Sequence, residues 1–207
     1  MRHARYPKLP LFPMFLRLEG RECLVVGAGV VAEDKIRGLI EAGARVRMVA
    51  PSATEVISKW AREKKLRWLH RKFRTKDASR MFLIVAATSS PKVHERVWQA
   101  ARRANVLCNV VDDPERCDFF YGAVVRRGAL QIAISTGGRS PALAQRIRKR
   151  LQKQFRVEYA ELVKRLGHAR SRLLISEPNA ARRKEIAHRM ARKIVERTSR
   201  QSEAGIR

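Results

Sequence analysis

Two adjacent carboxylates, Asp112 and Asp113, follow an apolar run in the segment NVVDDP of residues 109–114. The run VLCNVV is typical of a buried strand, and ligands bind at the carboxyl ends of strands in a parallel sheet. Asp112 at such an end could take a proton from a bound substrate. The same residues also suit an Asp-Asp-Pro turn, whose carboxylates accept hydrogen bonds from free backbone amides. Position alone favours the turn.

A glycine-rich segment, GAGVVA of residues 27–32, matches the turn that binds the pyrophosphate of a dinucleotide. Gly27 permits the tight turn, Gly29 lets the backbone approach the phosphates, and Ala32 lets helix and strand pack closely. The position between a clear strand and a clear helix favours dinucleotide binding over a plain turn. The acid expected about 20 residues later is absent, because the segment VAPS of residues 49–52 stands there. The residues alone therefore do not distinguish NAD from NADP.

A second glycine-rich segment, STGGRSP of residues 135–141, lies between a predicted strand and a predicted helix. Its glycines free backbone amides, Thr136 and Ser140 add hydroxyls, Arg139 adds a guanidinium, and the helix dipole favours an anion. These features suit a carboxylate or a phosphate. A glycine turn with Ser140 as the helix N-cap suits the same residues, so spacing alone leaves both interpretations open.

Short apolar runs and longer amphipathic runs alternate between residues 22 and 111. Strands are predicted at ECLVVG, RVRMVAP, LRWLHRKF, MFLIVAAT and VLCNVV. Helices are predicted at VVAEDKIRGLIEAG, which ends at Gly43, at SATEVISKWAREK, which Ser52 opens in a capping box with Glu55, and at SPKVHERVWQAARRA. This alternation predicts an α/β fold, a Rossmann-like parallel sheet with helices on both faces.

The pattern changes after Asp112. Two short strands joined at Arg127-Gly128 are predicted in FFYGAVVRRGALQIAIS, and a helix follows from Pro141. Two further helices, with a break near residues 177–179, and a disordered polar tail from Thr198 complete the chain. The predicted domains are a Rossmann domain of residues 1–112, a small α+β element of residues 113–150, and a helical region of residues 151–207.

The 207-residue chain carries 46 Lys and Arg against 19 Asp and Glu, a net charge of +27, which indicates an anionic partner or substrate. Its three cysteines, Cys23, Cys108 and Cys117, form no CxxC pair and are expected as free thiols in a reducing compartment. No apolar run reaches the roughly 18 residues of a membrane span. The histidines have no metal-ligand spacing, so no resident metal is expected. We expect a cytoplasmic protein with no membrane partner.

Taken together, these segments resemble the precorrin-2 dehydrogenase and sirohydrochlorin ferrochelatase module of siroheme synthases. The resemblance rests on LPLFPMFLRLEGRECLVVGAGVVAEDK, AGARVRMVAP, LIVAATSS and CNVVDDPERCDFFYGAVVRRGALQIAISTGGRSPALAQRIR, in this order from about Leu9 to about Arg150. Proteins of that family oxidise precorrin-2 to sirohydrochlorin, pass a hydride to NAD, and in some members insert ferrous iron. The resemblance implies an NAD-dependent oxidoreductase, with ferrous iron as a candidate second substrate.

The resemblance also assigns roles to single residues. Asp112 matches the family's essential aspartate, a proposed general base, so the turn interpretation is kept for Asp113 alone. The cofactor-binding positions are Gly27, Gly29, Val30, Val31, Pro51, Ser52 and Thr88. The positions expected to bind the tetrapyrrole are Asn109, Thr136, Arg139 and Ser140.

Family members form homodimers through the region after the aspartate, so residues 113–150 are expected to contact a partner copy. A basic rim would hold the carboxylates of precorrin-2, although the positive charge exceeds what one substrate requires. Two departures from the family pattern are Asp34-Lys35, where Arg-Lys is usual, and Gly122, where proline is frequent. Neither is expected to touch a residue with a chemical role.

A second hypothesis comes from a different class of protein, a non-catalytic Rossmann nucleotide sensor whose basic C-terminal helices bind nucleic acid. These helices lack the interleaved aromatic residues that stack on bases, and no nucleic-acid motif appears, so nucleic acid is not the expected partner. The two hypotheses differ in whether Asp112 matters and in whether nucleic acid binds at physiological salt.

Overall fold

Short apolar runs form the strands of the protein, and the amphipathic runs between them form helices. The computed structural model describes residues 10–204, with side chains described as far as residue 194. The strands are β1 (Glu22–Val26), β2 (Arg45–Ala50), β3 (Arg67–His70), β4 (Leu83–Ala86), β5 (Leu107–Val110), β6 (Ala123–Arg127) and β7 (Leu130–Ile134). The helices are α1 (Val30–Glu41), α2 (Glu55–Arg62), α3 (Pro91–Arg103), α4 (Pro141–Gln154), α5 (Glu158–Ser176) and α6 (Ala180–Ala204).

The first compact unit ends at Phe120 and is built on a five-stranded parallel sheet in the order β3-β2-β1-β4-β5. The chain adds β2 and β3 on one side of β1 and then crosses to β4 and β5 on the other. Val26 lies in register with Val49 and with Ala86, so the carboxyl ends of β2, β1 and β4 meet at one edge. Open α/β sheets bind ligands at this edge, where the strand order reverses.

Helices cover both faces of this sheet. On one face, Ile36 of α1 and Ile57 of α2 belong to the same buried cluster as Met48. On the other, Val97 of α3 belongs to the same buried cluster as Ile84. Burying an apolar side chain of this size contributes about 1.5–3 kcal/mol, so the two clusters hold the strand ends in fixed positions. The predicted α/β fold with helices on both faces is confirmed.

Helix α2 begins later than the sequence predicts. Its N-cap is Thr54, whose hydroxyl accepts a hydrogen bond from the amide of Ile57 at 3.4 Å. The prediction that Ser52 opens this helix in a capping box with Glu55 is therefore wrong. The amide of Thr54 donates to the carbonyl of Ala28 at 3.1 Å, which ties the start of α2 to the turn after β1 and leaves Ser52 in the connection.

The second unit begins at Tyr121 and contains a hairpin followed by helices. Strands β6 and β7 pair antiparallel, and Gly128 in their turn has a φ of +56°. A two-stranded hairpin is marginally stable by itself. Arg127 at the end of β6 donates to the carbonyls of Phe155 and Gln152 at 2.7 and 3.1 Å, which anchors the hairpin to the end of α4. The hairpin and the helices agree with the fold class predicted for this part of the chain.

Helix α6 continues through Ala204, where the sequence predicts a disordered tail from Thr198. The run from Ala180 has no Pro or Gly and is rich in Ala, Arg and Glu, which favour a helix. Residues 205–207 lie outside the described residues. The predicted domain boundaries at residues 112 and 150 stay a prediction. No helix within residues 10–204 is long and apolar enough to cross a membrane.

Candidate active site

The turn after β1 requires a glycine at residue 27. Gly27 has a φ of +107°, and a Cβ at this position would lie 2.1 Å from the carbonyl oxygen of Ala87, just after β4. Its amide donates to the carbonyl of Val49 at 3.1 Å. The backbone of the turn is therefore held between the ends of β2 and β4, with no space for a side chain.

The start of α1 is open where a phosphate would approach. A Cβ at Gly29 would have no atom within 4 Å, and the carbonyl of Gly29 accepts the amides of Ala32 and Glu33 at 2.9 and 3.2 Å. The earlier amides of a helix have no partner within it, and the helix dipole adds partial positive charge there. Val30 and Val31 beside them are 74% and 52% exposed. Free amides next to exposed apolar side chains fit a dinucleotide, which carries phosphates and aromatic rings.

Three more predicted cofactor residues lie at the strand ends that adjoin this turn. Pro51 and Ser52 follow β2 and are exposed, and Thr88 follows β4 and is half-buried. The hydroxyl of Thr88 accepts a hydrogen bond from the amide of Ser90 at 3.3 Å. The segment at the end of β2 has no acidic residue, so Ser52 is the polar side chain that it offers to a ribose.

Asp112 has a left-handed backbone conformation, with a φ of +61°. The amide of Val111 donates to the carbonyl of Ala86 at 3.0 Å, and the amide of Asp113 closes a turn on the carbonyl of Val110 at 3.2 Å. Asp112 is the third residue of this turn, where a residue other than glycine costs roughly 1 kcal/mol. Its side chain is exposed at the end of β5. Strain of this kind is concentrated at functional sites.

The sheet edge presents the predicted cofactor residues and Asp112 in one row. Strands β1, β4 and β5 are consecutive neighbours, so two strand spacings separate Gly27 from Asp112. Neighbouring strands lie about 4.8 Å apart, which makes this separation about 10 Å. One edge therefore carries both a phosphate-binding turn and an exposed carboxylate.

Asp113, next to Asp112, has a structural role. Its carboxylate pairs with Arg116, which also pairs with Glu95 of α3 at 2.6 Å. The guanidinium of Arg116 lies 5.6 Å from the ring centre of Trp98. These contacts connect the turn after β5 to α3, which agrees with the structural interpretation of Asp113.

Asn109 and Cys117 hold the Asp112 turn against β5. Asn109 is 7% exposed, and its side-chain amide donates to the carbonyl of Phe119 at 2.8 Å and to Sγ of Cys117 at 3.3 Å. The Cys117 thiol lies 3.2 Å from two backbone carbonyls of the turn, and burial raises its pKa, so it stays a neutral donor. In the described residues the amide of Asn109 supports the turn, and its predicted contact with a tetrapyrrole stays a prediction.

Lys35 of α1 is a residue of this site that the sequence interpretation missed. Burial lowers the pKa of its ammonium, while Asp34 and Asp112 act in the opposite direction. Lys35 therefore lies within electrostatic range of Asp112. The prediction that Asp34-Lys35 touches no residue with a chemical role stays a prediction. The signal was its spacing, because residue 35 lies three residues after Ala32 and four before Leu39, on the buried side of α1.

The second glycine segment forms a loop of the second unit. Both of its glycines have positive φ, and Thr136 Oγ1 accepts a hydrogen bond from the amide of Ser140 at 3.0 Å. The hydroxyl of Ser140 accepts from the amide of Leu143 at 3.3 Å as the N-cap of α4. Arg139 is exposed and has no carboxylate partner among the residues whose side chains are described. The loop thus caps the helix, and the guanidinium of Arg139 is free to meet an anion.

Within residues 10–204, no group of three or more His, Cys, Asp or Glu side chains is arranged to hold a metal ion. Burial raises the pKa of the Cys23 thiol to about 11 and of the Cys108 thiol to about 12, so neither acts as a thiolate at neutral pH. The exposed carboxylate that the site offers to chemistry at the end of β5 is that of Asp112.

Two family models match the chain. One, described as putative NAD(P)-binding, matches residues 14–123, and one described as sirohaem biosynthesis protein central matches residues 127–154. Siroheme synthase 2 of Yersinia enterocolitica is 37% identical over 78% of this chain and 34% of its own length. Siroheme synthase of Neisseria meningitidis serogroup C is 42% identical over 68% of this chain and 29% of its own length. The chain thus spans about a third of the length of these curated relatives.

A solved structure extends the likeness to almost the whole chain. SirC, a precorrin-2 dehydrogenase, superposes with a TM-score of 0.75 at 26% identity, covering 92% of this chain and 100% of its own. The putative NAD(P)-binding model alone matches more than half of the chain. The chain therefore belongs to the putative NAD(P)-binding family and, within it, to the relatives of siroheme synthases and SirC.

Proposed function

We propose that the protein oxidises precorrin-2 to sirohydrochlorin, with NAD as the electron acceptor, in the biosynthesis of siroheme. The observation that carries the proposal is the shared sheet edge, where the turn at Gly27 and the left-handed Asp112 stand two strands apart. The likeness to SirC over the full length of that protein supports the reaction. The identity with siroheme synthases supports its place in siroheme biosynthesis.

The residues around α1 suit NAD. When bound, NAD supplies the two-electron acceptor for the oxidation. Gly29 and the first amides of α1 would hold the pyrophosphate, and the hydroxyl of Ser52 would hold the adenosine ribose. Val30 and Val31 exclude water from the bound cofactor, and Thr88 lines the end of β4.

Asp112 acts as the general base. The oxidation removes a hydride and a proton from the substrate, and the Asp112 carboxylate takes the proton as the hydride leaves. The side chain of Lys35 lies within electrostatic range of this carboxylate. The left-handed turn fixes the backbone from which the carboxylate projects at the end of β5, and holding reactants in register lowers the entropy cost of reaching the transition state.

Arg139, Thr136 and Ser140 are proposed contacts for the carboxylates of the tetrapyrrole, since a guanidinium binds a carboxylate through two parallel hydrogen bonds. A homodimer formed through residues 113–150 belongs to the same proposal. So does a cytoplasmic location, which the three free cysteines support. Insertion of ferrous iron into sirohydrochlorin is a separate prediction of the resemblance.

The test supplies purified protein with precorrin-2 and either NAD or NADP, and records sirohydrochlorin and reduced nicotinamide by absorbance. We expect equal amounts of the two products and faster turnover with NAD. Absence of reduced nicotinamide with both cofactors would refute the proposed reaction. Adding ferrous iron to the product then tests chelation against a protein-free control, and light scattering of the same sample tests the dimer.

A further inference from the structure

A cavity of about 580 Å³ lies at the edge of the first unit opposite the candidate active site. Glu22, Arg45 and Arg67 in its lining are the first residues of β1, β2 and β3. Because these strands are parallel, their first residues lie at the edge remote from Gly27 and Asp112. The proposed reaction therefore gives this cavity no role.

The lining of the cavity is strongly basic. It contains five cationic side chains and one carboxylate, that of Glu22. The five are Arg45, Arg47, Lys64, Lys65 and Arg67. The apolar side chains of Val46 and Leu66 complete part of the wall.

Three of the arginines are neighbours on one face of the sheet. Arg47 lies in register with Arg67 on the adjacent strand, and Arg45 is two residues before Arg47, so their side chains leave the sheet on the same side. Like charges that face each other across neighbouring strands destabilise a sheet. Arg47 and Arg67 therefore repel each other except where a carboxylate or a bound anion offsets their charge.

The protein neutralises only part of this charge. Arg47 lies 3.4 Å from Glu22, and Lys65 lies 2.7 Å from Glu63. Arg45, Lys64 and Arg67 have no carboxylate partner within the part of the chain whose side chains are described. These three cationic side chains of the cavity are therefore available to bind an anionic ligand.

We propose that this cavity binds a small polyanion that carries two or more phosphate or carboxylate groups. The guanidinium group of arginine binds a phosphate or a carboxylate through two parallel hydrogen bonds. The volume of the cavity lies in the range of small-molecule sites, about 300–1,000 Å³. Separated cations around one cavity suit a ligand with several anionic groups better than a single small ion. A bound polyanion also removes the repulsion among the three arginines.

The test uses isothermal titration of the full chain with tripolyphosphate and, separately, citrate in 0.15 M NaCl. We expect one molar equivalent of one of these probes to bind, and the probe that binds distinguishes phosphate from carboxylate as the source. The double variant Arg45→Gln/Arg67→Gln is expected to weaken this binding at least tenfold. The control Arg102→Gln/Arg103→Gln removes the same charge from the exposed end of α3 and is expected to bind within twofold of the wild type.

Thermal unfolding provides a second readout that also monitors folding. Without a polyanion, Arg45→Gln/Arg67→Gln should melt at or above the wild-type temperature, because repulsion is relieved. With the polyanion, the wild type and the control should shift upward and the cavity variant should not. Binding of neither probe, or equal weakening in both double variants, would overturn the proposal. Binding at the turn after β1 would survive the cavity substitutions, so it is distinguished from binding in the cavity.

Discussion

Two neighbouring aspartates at the end of β5 have different surroundings. Asp112 is exposed in a left-handed conformation, and Asp113 pairs with Arg116. The conformation of Asp112 has a cost that contacts elsewhere must offset, and the hydrogen bonds of the Cys117 thiol to the carbonyls of Val110 and Asp113 are among them. An exposed carboxylate on a strained turn at the end of a strand is a candidate general base.

The strain at Asp112 is measurable by substitution. Glycine adopts a positive φ freely, whereas alanine does not. We expect Asp112→Gly to exceed Asp112→Ala in free energy of unfolding by about 1 kcal/mol, with activity lost in both variants. Urea denaturation of the two variants measures the difference. Equal stability of the two would show that the left-handed conformation carries no strain.

The two glycines of the cofactor turn should respond differently to alanine. Gly27→Ala places a Cβ 2.1 Å from the Ala87 oxygen, so we expect a loss of about 3 kcal/mol or more in unfolding free energy. Gly29→Ala meets no atom and should cost less than about 1 kcal/mol, while NAD binding weakens at least tenfold. Thermal unfolding and titration with NAD check both. Tight NAD binding by Gly29→Ala would argue against a phosphate at this position.

The sequence predicts where the strands end, but it does not predict the side-chain contacts that are made at those ends. The motif GAGVVA and the run before Asp112 predict the correct sheet edge, because strand and turn patterns are local. The spacing of Lys35 places it on the buried side of α1, but its closeness to Asp112 depends on how α1 and the loop after β5 pack. The hydrogen bond from the Asn109 side chain to the carbonyl of Phe119 depends on the same packing, which no local pattern encodes. These contacts could therefore be found only in three dimensions.

At the scale of elements, an ion pair between a buried carboxylate and a partly exposed arginine fixes the connection between β3 and β4. Both oxygens of Asp77 accept hydrogen bonds from Arg71, at 2.7 and 2.8 Å, and the amide of Arg74 donates to one of them at 2.8 Å. Asp77 is 5% exposed. Burial raises the pKa of Asp77, but the hydrogen bonds from Arg71 and Arg74 outweigh burial and hold the pKa below its ordinary value.

This ion pair predicts a pH dependence of stability. Because the pKa is depressed in the folded state, the stabilisation is present above the unfolded value of about 3.9 and is lost as the pH falls through the folded pKa. Asp77→Asn should cost about 3 kcal/mol at pH 7, and this difference from the wild type should shrink towards pH 3. Urea denaturation at several pH values measures it. Asp34→Asn, which removes an exposed carboxylate 3.6 Å from Arg37, should show little change at any pH.

Element ends were predicted less well than element types. Ser52 and Thr54 both suit an N-cap, and the choice of Thr54 follows from its backbone bond to Ala28 in the turn after β1. Gly43 correctly predicts the end of α1, because a left-handed residue with a φ of +76° is needed there. Caps that depend only on local conformation were therefore predictable, and a cap selected by a tertiary contact was not.

At the scale of the whole molecule, the net charge of +27 is the dominant electrostatic property. Like charges in a compact state repel one another, and salt screens this repulsion over a Debye length of about 10 Å at 0.1 M. The five cations of the basic cavity are only a small part of the 46 Lys and Arg of the chain. The sensor hypothesis assigns the remaining positive charge to the binding of nucleic acid.

Raising NaCl from 0.05 to 0.5 M should therefore increase the melting temperature, instead of lowering it as expected for a fold held by surface ion pairs. Differential scanning calorimetry measures the trend. A melting temperature that falls steadily with salt would mean that attractive pairs outweigh the net repulsion. Titration with duplex DNA at 0.15 M NaCl tests the sensor hypothesis, which requires tight binding at that salt concentration.

We propose that Asp112 removes a proton during the oxidation and that Asp113 does not. The most direct test compares kcat/KM and unfolding free energy for Asp112→Asn and Asp113→Asn with precorrin-2 and NAD. Asparagine tolerates the left-handed conformation, so Asp112→Asn should keep wild-type stability and lose at least about 100-fold in kcat/KM. Asp113→Asn should lose about 1 to 2 kcal/mol of unfolding free energy, because its ion pair with Arg116 is weakened. It should retain kcat. Wild-type turnover by Asp112→Asn would show that Asp112 is not the general base.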